Sequence, residues 1–109
     1  MAVHHASAGE IVDLRPLGAG LKNARTSAIV KTNEFEAVRL IVHAGDDIAP
    51  HQVPGAIMLH CLEGRVLLPL AESTLELSAG EWVYLKGGIR HAVKGVEDSS
   101  LLLTILFDG

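Results

Sequence analysis

At 109 residues, with 49% apolar side chains and a formal net charge of −4, the chain has room for one domain with a single core. The mild acidity, with basic residues scattered singly and four aromatic residues in all, excludes a nucleic-acid footprint or a stacking platform for bases. One cysteine, Cys61, excludes an intramolecular disulfide and a multi-cysteine zinc site, and no apolar run approaches the roughly 20 residues of a membrane span.

In chain order, residues 1–25 read as an N-terminal arm and 26–109 as the domain proper. The opening "MAVHHASAGEIVDL" has no basic start leading into an apolar core, so no signal peptide is expected and a cytoplasmic location is the default. His4 and His5 in this arm need no function, since terminal residues are the first to lose order. "EIVDL" offers a further strand, and "LGAGLKNA" a loop or one helical turn. Beyond the arm, apolar and β-branched runs recur at short intervals with Gly, Asn, Asp and Ser between them. Strands are expected at 26–31, 35–43, 56–62, 65–70, 74–77, 81–85, 91–94 and 100–107. Short strands at this spacing predict an all-β fold, a small antiparallel β-barrel or jelly roll.

Alternation in 35–43 puts Val38, Leu40 and Val42 on one face and Arg39, Ile41 and His43 on the other. His43 ends its strand at a turn and is expected in solvent. Trp82 and Tyr84 share one strand face; a pocket wall is one role, and core packing is the stronger expectation. Arg39, Arg65 and Arg90 could each meet a substrate carboxylate, with surface solvation the better expectation. "VEDSS" reads as a turn, and Glu63, in the turn before Gly64, should point away from any cavity. Cys61, set in "MLHCLEG", reads as a small buried hydrophobe.

From Gly45 onward the glycine and histidine spacing resembles the cupin family, small antiparallel barrels marked by two sequence motifs. Gly45 and, after five intervening residues, His51 match the first motif, which Gly64 closes in "CLEGRV". In "GEWVYLKGGIRHAVKG", Gly80, Gly88 and His91 stand in register with the second. The resemblance covers 35–107. It implies a divalent metal held by two histidines and a glutamate of the first motif and a histidine of the second. At those positions this chain has His51, Val53, Ile57 and His91, while Lys86 and Gly95 replace the second motif's proline and asparagine. Two imidazoles meet neither the three protein ligands of a catalytic zinc nor the two histidines and carboxylate of non-haem iron.

Whether His60 supplies a third nitrogen depends on strand register. If Ile57 takes the inward carboxylate slot, Leu59 and Cys61 line the cavity with it and His60 faces out. If Pro54-Gly55 shifts the register so that Ala56 takes the slot, Met58 and His60 face in. The spacing to Gly64 favours the first register, and a three-histidine cluster the second.

Two functions follow. One is a non-catalytic small-molecule-binding cupin, with an apolar cavity lined by Ile57, Leu59 and Cys61 and a degenerate metal site. The other is a metal-dependent oxygenase or isomerase with His51, His91 and His60 as ligands. The missing glutamate favours the first, and weak or no binding of a divalent metal is expected. Aliphatic lining positions do not name the ligand. A homodimer is expected, because so small and apolar a domain exposes patches unless a partner covers them; nucleic acid and membrane are not expected partners.

Overall fold

The computed structural model describes residues 5–107 except for the side chain of His51, so His4 lies outside the described residues. Among them, nine strands form two antiparallel sheets. One has five strands, in the order β1 (Ser27–Lys31), β2 (Phe35–Val42), β9 (Ser99–Leu106), β4 (Ile57–Glu63) and β7 (Trp82–Leu85). The other has four: β3 (Asp47–His51), β8 (His91–Gly95), β5 (Arg65–Pro69) and β6 (Thr74–Ser78).

Eight of these strands lie within one residue of their expected bounds. The ninth, β3, was not expected. Its "DIAPH" has a proline at Pro50 and few apolar residues, a pattern that reads as a turn. It survives because it is an edge strand paired with β8 alone, where a missing N–H costs no interior ladder bond. "EIVDL" forms no strand, and Gly18–Asn23 is a 3-10 helix.

The core lies between the sheets. Along β4, Ile57, Leu59 and Cys61 are buried while Met58, His60 and Leu62 are half-buried. The register is therefore the one that turns Ile57 inward. Across the ladder Leu59 faces Leu103 of β9 and Val83 of β7, and Val66, Leu68, Leu77 and Val93 close the core from the four-stranded sheet. Leu59, Cys61, Val66, Leu68 and Leu101 are all 1% exposed or less, so the centre of the sandwich is filled by side chains.

The glycines that carry the family resemblance, Gly45, Gly64, Gly80 and Gly88, all have positive φ. At Gly64 a side chain is excluded twice over, because a Cβ would also collide with the Asp98 carbonyl and the Ser99 hydroxyl.

Two expectations about the outer face of the five-stranded sheet are corrected. Arg39 is buried rather than solvated. Its Nε donates to Ser100 Oγ at 2.8 Å, its Nη2 donates to the Arg15 carbonyl at 2.8 Å, and Glu63 lies 3.9 Å away. Glu63 in turn accepts from the backbone N–H of Leu17 at 2.6 Å and of Gly18 at 3.2 Å, so this pair pins the arm across one end of the sheet. Trp82 and Tyr84 are 58% and 51% exposed rather than packed in the core. They sit on edge strand β7, where alternation that turns Val83 and Leu85 inward must turn them out. His43 is only one-third exposed. Its Nε2 lies 3.2 Å from the Leu21 carbonyl and its Nδ1 lies 3.6 Å from Asp46.

Candidate functional site

The two histidine positions that the motifs single out are paired along the backbone at one end of the sandwich. On β8, His91 shares the inward face with Val93 and is 4% exposed. Its Nδ1 lies 3.1 Å from the Ile89 carbonyl oxygen. A carbonyl oxygen only accepts, so Nδ1 carries a proton and donates it to Ile89. The β3–β8 register sets the His51 backbone directly opposite His91, whereas the His51 side chain lies outside the described residues.

The remaining positions of the implied metal set are hydrocarbon. Ile57 is 3% exposed and lies in a row with Leu85 and Ile105, and Val53 packs against the same core. His60 is not brought to this end. It projects from the outer face of β4, with Trp82 and Leu102 as cross-strand neighbours, so the sheet separates it from His91. Among the described residues, no three His, Cys, Asp or Glu side chains gather where they could hold an ion. A divalent ion beside His91 would face isoleucine and valine where a carboxylate should offset its charge, so the donor set does not fit the implied metal.

Space opens at the mouth of the sandwich, next to Ile57, rather than at its centre. A recess of about 350 Å³ is bounded by Val53, Pro54 and Gly55, by Ile105, Leu106 and Phe107, and by Glu36. Ile105, in its wall, is the cross-strand partner of both Ile57 and Glu36. Glu36 is the one ionisable side chain of this lining, and Lys31 Nζ sits 5.9 Å above the Phe107 ring at its edge. A smaller recess of about 140 Å³, between Pro50, Pro69–Ala71 and Arg90–Ala92, is bordered by His91.

Glu36 was not singled out from the sequence, yet the signal was present. The alternation that turns Val38, Leu40 and Val42 inward, continued two residues back, turns Glu36 inward too. The cavity expected around Ile57, Leu59 and Cys61 is occupied by those side chains; of the three, Ile57 comes nearest the mouth, through its partner Ile105. Burial pushes the Cys61 thiol up to about 11, which makes it a poor nucleophile. Arg65 is half-exposed and pairs with Glu76 at 2.9 Å and Glu97 at 3.6 Å, and Arg90 is exposed. Gly95, where the family motif has asparagine, allows no side chain, because a Cβ there would collide with the His43 carbonyl.

No family model and no curated protein matches the chain. Solved structures do. A cupin superfamily protein from Desulfitobacterium hafniense superposes with a TM-score of 0.76 at 14% identity, covering 90% of this chain and 95% of that one. A cupin-2 domain protein from Shewanella frigidimarina gives a TM-score of 0.64 at 16% identity, over 72% of this chain and 76% of that one. The protein has the cupin fold. A conserved protein of unknown function from Streptococcus pyogenes is similar along the full length of this chain and 97% of its own, with a TM-score of 0.77 at 19% identity. At such identities the likeness speaks for the cupin fold and for nothing finer. The mouth of this cupin-fold chain has hydrocarbon at Val53 and Ile57, and a carboxylate, Glu36 of β2, in the lining of its recess.

Proposed function

We propose that this cupin-fold protein is a non-catalytic small-molecule binder whose ligand sits at the barrel mouth without a metal. The observation that carries the reading is Ile57, which is 3% exposed and fills the carboxylate position of the metal motif with core hydrocarbon beside an apolar recess of about 350 Å³. A recess of that volume suits a small molecule, with a few polar groups setting its orientation. Glu36 supports a ligand with a hydrogen-bond donor at one end, and the walls made by Val53, Ile105 and Phe107 support an apolar body.

The test is a fragment screen followed by amide chemical shifts, run on chelator-treated protein and repeated with zinc, nickel or manganese. Shifts confined to residues 53–57 and 105–107, unchanged by metal and weakened by Glu36→Gln, are the expected result. Binding that requires metal and vanishes in His91→Ala would replace this reading with that of a metal-dependent enzyme.

A further inference from the structure

The recess at the mouth holds a carboxylate that nothing in the chain satisfies. One row of the inner face runs Lys31–Glu36–Ile105–Ile57–Leu85 across β1, β2, β9, β4 and β7, passing from charge at the rim to buried hydrocarbon within. Glu36 is half-buried and lines the recess with Val53, Pro54, Ile105 and Phe107. Opposite charges directly across an antiparallel ladder attract and stand within side-chain reach of each other. Lys31 nevertheless turns away from its cross-strand partner and places Nζ 5.9 Å over the Phe107 ring. Among the described residues, no hydrogen bond or ion pair reaches the Glu36 carboxylate.

Resting on the reading of the mouth as a metal-free ligand site, we infer that its ligand is a small primary amine, bound as the ammonium ion. The charged head donates to Glu36, and an apolar body lies between Val53, Ile105 and Phe107. Charge selects the head. Glu36 is the one ionisable side chain among the described residues of the lining, so an anionic head would be repelled there. A carboxylate beside hydrocarbon has given up water without gaining a donor, and an incoming N–H makes good that loss. The overall charge of −4 favours the approach of a cation. The aromatic content selects the substitution. A quaternary ammonium cannot donate and is held instead by a cage of aromatic faces. The described lining has one ring, Phe107, and Lys31 already lies over it. Volume selects the body. About 350 Å³ is near the small end of ligand sites, roughly 300–1,000 Å³, and suits a single ring or a short chain rather than a peptide. Lys31 limits the affinity, because its own charge at the rim opposes a second cation.

Amide chemical shifts of the chelator-treated full chain, titrated with cyclohexylmethylamine, cyclohexylmethanol and cyclohexanecarboxylate, vary the head group at nearly constant shape. At about pH 7 the amine is protonated, as a lysine side chain is. It should bind roughly five- to tenfold tighter than the alcohol, the margin between a charge-assisted and a neutral hydrogen bond. Glu36→Gln exchanges the charge for an amide of the same shape, and should erase that margin while leaving alcohol binding nearly unchanged. Lys31→Met keeps an apolar cover on Phe107, and should strengthen amine binding without affecting the alcohol. Equal binding of amine and alcohol at the mouth, unaltered by Glu36→Gln, overturns the proposal while the metal-free site stands. A preference for the carboxylate does the same, and would assign recognition of the head to Lys31. If none of the three probes shifts residues 53–57 or 105–107 without metal, the proposal and the reading it rests on fall together.

Discussion

Leu59→Ala tests the strand register on which both the core and the site depend. Leu59 is 1% exposed and sits on β4 between β7 and β9, facing Val83 and Leu103. Three carbons leave the core, at about 0.8 kcal/mol each. Because β4 is hydrogen-bonded on both sides, the backbone has little freedom to close the gap, and the residual cavity adds about 1–2 kcal/mol. The expected loss is about 3–4.5 kcal/mol, which for a domain of this size lowers Tm by at least about 12 °C. His60→Ala is the control, one residue along and on the opposite face, and should cost less than about 1 kcal/mol of fold stability. Urea denaturation of both variants at one protein concentration is the assay, since self-association would otherwise shift apparent stability. A loss below about 1 kcal/mol for Leu59→Ala, with a loss above about 2 kcal/mol for His60→Ala, would refute the register.

Arg39→Ala leaves Ser100 Oγ and Glu63 without their guanidinium partner and should cost about 3 kcal/mol or more; amide exchange should speed up at Arg15, Leu17 and Gly18, and unchanged exchange there would show that Arg39 does not hold the arm. Burial raises the Cys61 thiol from 9.0 to about 11, so the stability it contributes is fully present below about pH 9 and is lost as pH rises towards 11. The difference in stability between the protein and Cys61→Ala should therefore slope through that window, and parallel curves would count against it. The double change Val53→His with Ile57→Glu restores the implied donor set and should bind zinc, nickel or manganese by calorimetric titration; no gain would mean that these positions do not face His51 and His91. Without metal the same variant should melt lower as pH rises from about 4 to 7, because a buried carboxyl has a raised pKa and its ionisation then disfavours folding.

The sequence by itself determined the all-β fold, eight of the nine strands and the turns between them. Those features follow from local rules: alternation has a period of two, and a glycine at positive φ is marked by its own residue type. The spacing of Gly45, Gly64, Gly80 and Gly88 was legible as a cupin frame for that reason, and so was the loss of two metal donors at Val53 and Ile57. Tertiary structure decided what alternation leaves open. Period two divides residues into two faces without saying which face meets the other sheet, so His60 remained ambiguous until β4 was paired with β7 and β9. The pairing of β7 with β4, which turns Val83 and Leu85 inward, decided that Trp82 and Tyr84 lie outside, and edge position decided that β3 tolerates Pro50. Arg39 could not be read as buried, because its partners Ser100, Glu63 and the Arg15 carbonyl come from β9, β4 and the arm, far apart along the chain. Only the closed sandwich supplies the three partners that make burying that charge tolerable.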